Sequence, residues 1–343
     1  MLTLLNTLYV TTPLSYLHLD NDTVRVEVQR ETRLRVPIHH LAAVVTFGNV
    51  LVSPALVHRL ADEGKSLVLL SENGRFKARM EGPVSGNILL RQAQYAQAGD
   101  SAFALRLARA FVAGKIKNTR QVLLRGAREA KDTDDGAALL RRGEDLAAAL
   151  RSLPAAADLD TVRGIEGEAA RQYFAGLNLI VRREARSIFV MAGRTRRPPR
   201  DRMNALLSFL YAMLMNDCRS AVETAGLDPQ LGFLHAVRPG RAALALDLME
   251  EFRSLADRLA LTLINRGQVR ECDFTLHEGG AVTLSEDGRK TAIVSWQEKK
   301  REELVHPLLR QPASFGLLPL LQARLLARTL RGDMESYLPF LAR

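Results

Sequence analysis

The sequence predicts an α+β fold, with a small N-terminal β-sandwich-like domain followed by a larger all-α domain. Three observations carry this. Short strand patterns separated by turn residues fill the first 84 residues. Beyond them apolar residues recur at helical spacing almost throughout. Glu81-Gly82-Pro83 lies between and breaks both patterns. We therefore expect a β-rich domain over residues 1–84 and a helical domain over residues 85–343.

Val24, Val26 and Val28 alternate with Arg25 and Glu27, the period of a half-buried strand. Asp20-Asn21-Asp22 is turn chemistry, so Tyr16–Leu19 and Thr23–Val28 form a hairpin. Arg33–Ile38 and Leu41–Phe47 continue the strands. A short helix interrupts them: Ser53 caps it, Pro54 takes the first helical position and Gly64 ends it. Ser66–Leu70 and Arg75–Met80 flank the turn Ser71-Glu72-Asn73-Gly74. Downstream, Ser101–Ala130 reads as one long helix, and Lys131–Gly136 as a polar break. Helical patterns resume at Gly143–Ser152, Leu159–Leu177, Asn204–Ala225, Leu244–Leu263 and Leu317–Leu330. Ala281–Trp296 reads as a short β excursion turning at Asp287-Gly288.

The chain has 343 residues, 48 Lys and Arg against 38 Asp and Glu, and a formal charge of +10, which favours a polyanionic partner. Its two cysteines, Cys218 and Cys272, match no zinc spacing and read as reduced core thiols of a cytoplasmic protein. Met1–Val10 lacks the basic and apolar regions of a signal peptide, and no apolar run is long enough for a membrane span. The basic residues are scattered, with no amphipathic anchor, so no membrane partner is expected. The densest basic segment is Arg182–Arg202, whose middle is made a loop by Gly193, Pro198 and Pro199. Guanidinium forks match phosphate oxygens, which makes Arg196, Arg197, Arg200 and Arg202 candidate DNA contacts. Arg238 and Arg241, in the basic turn Arg238-Pro239-Gly240-Arg241, join them.

In Thr161–Leu177 the apolar positions Val162, Ile165, Ala169, Ala170, Tyr173 and Phe174 share one helical face, and Glu166 falls on or beside it. A buried carboxylate needs a cation, a donor or a proton. Alone, the pattern is met most simply by a salt bridge to Arg163 or Arg171. Gly164 and Gly167 flank Glu166 and cost helix stability, which points to close approach of a neighbouring helix or a ligand. His235 sits in the apolar segment Phe233–Ala236, where a histidine is more often a bonded core residue than a ligand. Asp247, Glu250 and Glu251 fall at i, i+3 and i+4 of one helix; they need a cation, Arg253 or open solvent. Together these residues would supply one imidazole and two or three carboxylates, a donor set for Mg²⁺ or Mn²⁺.

Four runs, GIEGEAARQYF, RPPRDRMNALLSFLYAML, GLDPQLGFLH and LALDLMEEFR, resemble in order and spacing the CRISPR-associated integrase and endonuclease of spacer acquisition, the Cas-one family, and most resemble its type I-C form. The resemblance covers essentially the whole chain. It implies a homodimer, two of which flank a dimer of the smaller Cas-two protein. It also implies insertion of short foreign DNA duplexes (prespacers) into the CRISPR repeat by 3′-hydroxyl attack on a phosphodiester. It places the metal ligands at Glu166, His235 and Glu250, with Asp247 an auxiliary catalytic residue. The last ligand is often Asp in relatives and is Glu here. Asn204 and Tyr211 match site-supporting positions.

Two other functions fit the same residues. One is a structure-specific, metal-dependent DNA endonuclease. The other is a non-catalytic DNA-binding scaffold, which would keep DNA affinity and make no product with any metal.

Overall fold

The computed structural model describes residues 5–72, 74–80, 82 and 88–342. Its first part holds eight strands and one helix: β1 (Asn6–Val10), β2 (Tyr16–Asp20), β3 (Thr23–Val28), β4 (Glu31–Pro37), β5 (Leu41–Phe47), β6 (Leu51–Val52), α1 (Pro54–Asp62), β7 (Ser66–Leu70) and β8 (Phe76–Arg79). They make two four-stranded sheets, ordered β1-β5-β7-β8 and β4-β3-β2-β6. Leu8, Val10, Val44 and Leu67 of the first sheet meet Leu17, Val24 and Val26 of the second, with Leu56 and Leu60 of α1, in one buried core. The predicted sandwich-like packing is therefore present. The hairpin turns where expected, pairing Asp20 with Thr23, with Asn21 at φ 52°. Ser53 caps α1 by accepting from the Leu56 amide at 3.2 Å. Asn73 of the second turn and the ends of the breaking tripeptide, Glu81 and Pro83, lie outside the described residues.

The first sheet is buried on both sides. Val45, Phe47, Val68 and Leu70 face away from the sandwich core and join the core of the helical part. The Phe47 and Phe209 rings stack there with centroids 5.8 Å apart. This explains why β5, Leu-Ala-Ala-Val-Val-Thr-Phe, is a continuous apolar run rather than an alternating one.

The rest is mainly helical: α2 (Ile88–Gly99), α3 (Ser101–Glu129), α4 (Thr133–Ser152), α5 (Leu159–Ile180), α6 (Arg183–Phe189), α7 (Arg202–Thr224), α8 (Ala243–Met249), α9 (Arg253–Asn265), α10 (Glu286–Arg301) and α11 (Leu318–Leu330). Two short hairpins interrupt it, β9 (Phe274–Leu276) with β10 (Val282–Leu284), and β11 (Glu303–Val305) with β12 (Pro312–Ser314). Asp100 caps α3, Asp158 caps α5 and Asp201 caps α7, each accepting from backbone amides of the first turn.

Several expectations are corrected. The polar break after α3 is shorter than Lys131–Gly136, because Asp132 caps α4 and Asp134 and Asp135 suit its first turn. The β excursion is confined to β10. Ser285 caps α10, Glu286 and Asp287 fill its first turn, and Lys299, Lys300 and Arg301 fill its last, so Asp287-Gly288 begins a helix instead of turning a hairpin. The helix expected over Leu244–Leu263 is two helices, α8 and α9, broken at Glu250–Phe252. The arginine-rich stretch contains the helix α6 before its loop begins. Cys218 is buried as expected, but Cys272 is exposed.

Candidate metal centre

The break between α8 and α9 organises the site. In an unbroken helix Asp247, Glu250 and Glu251 would share a face. Here the chain turns after Met249, and the three carboxylates point to three different places. Asp247 reaches the loop that follows α7. Glu250 reaches Lys115 of α3. Glu251 reaches the C-terminal segment, where Tyr337 O–H, the Gln322 amide and the Phe340 backbone N–H all donate to it.

Asp247 is fully buried and saturated with donors. The backbone amides of Phe233, Leu234 and His235 donate to it at 2.6, 3.0 and 2.9 Å. The His235 ring nitrogen Nδ1 lies 2.7 Å from its Oδ1. A carboxylate can only accept, so Nδ1–H is the donor and the other ring nitrogen, Nε2, is turned inward. Nε2 lies 3.8 Å from Glu250 Oε1. Gly232 makes this grip possible: a Cβ there would stand 2.7 Å from Asp247 Oδ2 and from the Ala243 carbonyl carbon. Arg163 of α5 donates twice to the Leu234 carbonyl, at 2.9 and 2.7 Å, tying the loop to the helix that carries Glu166.

Glu166, half-buried on α5, does not pair with either arginine that sequence offered. Arg163 serves Asp160 and Leu234, and Arg171 serves Glu168. Its partner is Lys115 on α3, whose ammonium contacts Glu166 Oε1 and Glu250 Oε2, the latter at 2.7 Å. Nor do Gly164 and Gly167 admit a neighbouring helix. A Cβ at either would meet nothing within 4 Å, and both are exposed. This side of α5, beside Glu166, is an open face.

Glu250 is buried and held by cations. Arg253, one turn on, donates to it at 3.1 Å. Burial alone would raise its pKa, but Arg253, Lys115 and His235 outweigh that and hold the carboxyl down to about 2. Beneath Arg253 lies the ring of Tyr211, with the guanidinium carbon 4.9 Å from its centroid. Tyr211 and Tyr173 both donate to Asp257, whose burial raises its pKa to about 6. Tyr211 is thus placed behind the site, under the cation that grips Glu250. Asn204, fully buried, serves the arginine loop instead. Its side chain accepts from Arg194 at 2.7 Å and donates to the Gly193 carbonyl at 2.8 Å, anchoring the arginine loop to α7.

The candidate DNA-contacting arginines differ in partners and exposure. Arg200 donates to the Gly279 carbonyl of the β9–β10 turn, and Arg202 pairs with Glu271. Arg196, Arg197 and Arg238 are exposed. Arg241 is half-buried near Asp247; burial, then repulsion from Arg238, Arg163 and Arg196, lowers its pKa. Arg163, Arg196 and Arg238 thus lie close enough to Arg241 to repel it.

The donor chemistry of Glu166, Glu250 and His235 fits a hard divalent ion. As placed, though, no three His, Cys, Asp or Glu side chains among the described residues form a ready metal cage. The point on which the two glutamates converge is held by Lys115.

The family model for CRISPR associated protein Cas1 matches residues 8–298. The chain belongs to the Cas1 family. Among its relatives is CRISPR-associated endonuclease Cas1 1 of Moorella thermoacetica, 54% identical over 341 residues and 99% of each chain. The corresponding protein of Chlorobaculum tepidum is 47% identical over 340 residues, again 99% of each. Solved structures with the same fold include a casposase bound to integration product, with a TM-score of 0.85 at 21% identity over 97% of this chain and 93% of that one. A CAS1 protein from Thermotoga maritima aligns with a TM-score of 0.81 at 21% identity over 96% and 97%. At these identities the likeness is one of fold. Strands followed by a mainly helical part, as expected from sequence, is the arrangement this Cas1 chain adopts.

Sequence reasoning missed Lys115 and the role of Arg253 as Glu250's clamp. A signal for Lys115 was present. It lies four residues after Phe111 and seven before Val122, a cation on an apolar helical stripe. It was hidden by the many other basic residues of α3.

Proposed function

We propose that this Cas1 chain is a metal-dependent DNA integrase of CRISPR adaptation, inserting short foreign duplexes into the repeat. The observation that carries the reading is the orientation of His235. Asp247 fixes its ring so that Nε2 faces Glu250, which is what a ligand histidine needs and a merely packed histidine does not. Family membership supports the reading. Glu166, Glu250 and His235 would hold Mg²⁺ or Mn²⁺, which when bound supplies Lewis-acid stabilisation of charge at the phosphodiester.

The protein's own groups do the rest. Arg253 and Tyr211 hold Glu250 in place. Arg163, Arg196, Arg238 and Arg241 offset the negative carboxylates, so that a polyanion is accepted beside them. The open face of α5 leaves room for the duplex. In the reaction the incoming 3′-hydroxyl gives up its proton as its oxygen bonds to phosphorus, and the repeat strand's own bridging oxygen leaves and takes up a proton.

The protein would act as a homodimer with a Cas2 dimer as partner, on prespacer and repeat double-stranded DNA in the cytoplasm. The partner is suggested by similarity to a Cas6-RT-Cas1–Cas2 complex, with a TM-score of 0.82 over 98% of this chain and 36% of that one. Among the described residues no helix is long and apolar enough to cross a membrane. The division into domains 1–84 and 85–343 remains part of this proposal.

The test is a supercoiled plasmid carrying the repeat, incubated with prespacer duplex in Mg²⁺ or Mn²⁺, with and without the small partner. Joined half-site product supports the integrase. Cleavage without joining favours the metal-dependent endonuclease, the activity that the relatives' names carry. Binding without either product would leave only the scaffold.

A further inference from the structure

Two of the three residues proposed as metal ligands, Glu166 and Glu250, hold an ammonium between them, and the third, His235, faces Glu250. Lys115 Nζ contacts Glu166 Oε1 and lies 2.7 Å from Glu250 Oε2, while the second oxygen of Glu250 faces His235 Nε2 at 3.8 Å. Lys115 is 5% exposed, so its charge has lost nearly all its water and is stabilised by these carboxylates. Its helix is rigidly seated at this point. One residue before it, a Cβ on Gly114 would meet Pro339 Cβ at 2.7 Å, so α3 is pressed against the C-terminal segment and cannot slide. Three residues after it, Asn118 donates to the Glu251 and Phe340 carbonyls, both at 2.8 Å.

An ammonium and a divalent ion cannot share this position. Oxygen ligands close to about 2.1 Å around Mg²⁺, and the two cations repel in a site with little water to screen them. We infer that Lys115 is the resident counter-ion of the metal site: it holds Glu166 and Glu250 together in the metal-free protein and is expelled by the incoming ion. This rests on the metal-dependent reading above. Three consequences follow. The buried carboxylates are neutralised, and the protein folds, before metal arrives. Metal affinity is a difference, set against the cost of breaking both ammonium contacts. The expelled side chain swings on a flexible stem while α3 stays still, leaving its ammonium for solvent or a DNA phosphate beside the site.

The test follows the amine directly. The purified full chain is treated with acetyl N-hydroxysuccinimide ester in chelator or in saturating Mn²⁺, without DNA, and acylation of Lys115 is read by mass spectrometry. Bound Mn²⁺ is counted by electron paramagnetic resonance in the same samples. Lys115 should be protected in chelator and acylate at least tenfold faster with Mn²⁺, in step with the binding isotherm. Mn²⁺ that binds while Lys115 stays protected overturns the inference and leaves the metal reading standing. Failure of Mn²⁺ to bind overturns both. As a second arm, Lys115→Met should bind Mn²⁺ at least tenfold more tightly than the parent protein, and equal or weaker binding overturns the inference.

Discussion

Asp247 holds His235 at two points, accepting from its backbone amide at 2.9 Å and lying 2.7 Å from its ring nitrogen Nδ1. The contact sets both where the imidazole sits and which nitrogen is turned toward Glu250. Asp247→Asn keeps the size and one accepting oxygen; with that oxygen on the Phe233 and Leu234 amides, an N–H faces the His235 amide and ring, where both need an acceptor. The imidazole must then rotate or change tautomer, placing a proton on the inward nitrogen. We expect Mn²⁺ affinity and half-site joining to fall about 10- to 100-fold, with DNA affinity within a few-fold of the parent. Unchanged joining would show that the orientation of His235 is immaterial.

The candidate DNA-contacting arginines separate by their partners. Arg196 and Arg197 are exposed, whereas Arg202 is paired with Glu271. Replacing Arg196 and Arg197 with Ala should reduce the slope of log affinity against log salt by about 0.9 for each lost phosphate contact. Arg202→Ala should leave that slope alone. Fluorescence anisotropy with a labelled duplex over a salt series measures both, and equal slopes for all the proteins would remove this loop from the DNA path.

The open face beside Glu166 leads to opposite expectations for stability and activity. Nothing stands within 4 Å of a Cβ added at Gly164 or Gly167. Alanine there should stabilise α5 by about 1 kcal/mol per site, seen as a higher Tm. If the duplex lies against this face, the same variant joins DNA more slowly. A rise in Tm with unchanged joining rate would place the duplex elsewhere. A fall in Tm would contradict the open geometry itself.

Glu251 gives a prediction in pH. Burial pushes its pKa up to about 8, against the lowering effect of Tyr337, Phe340 and Gln322. The folded protein keeps the proton over a range where the unfolded chain has released it. Stability is therefore lost as pH rises from about 4.5 toward 8, by an amount on the order of a few kcal/mol. Glu251→Gln carries no such proton. Its Tm relative to the parent should climb between pH 5 and pH 8.5. A difference that stays flat across that range would show that Glu251 is ionised in the fold.

Much of this protein was determined by its local sequence. The β2–β3 hairpin follows from valine alternation and an Asp-Asn-Asp turn. The helix starts follow from Ser53, Asp100, Asp158 and Asp201, since a cap acts within three residues and needs no tertiary partner. Glu166 on the edge of an apolar stripe, and His235 in an apolar segment, were visible as residues needing explanation. Family resemblance, rather than spacing, proposed what they do.

Tertiary structure decided which charges meet. Lys115 and Glu166 are 51 positions apart, and Lys115 and Glu250 are farther still; no periodicity within one helix can select that lysine from the other cations of α3. The break at Glu250–Phe252 was equally invisible, because its residues are compatible with a continuous helix. It forms because three carboxylates on one buried face would repel, and the fold gives each its own donors instead: the His235 loop for Asp247, Lys115 and Arg253 for Glu250, and Tyr337, Gln322 and Phe340 for Glu251. Burial makes those long-range pairings obligatory, and local sequence carries no record of which distant partner satisfies them.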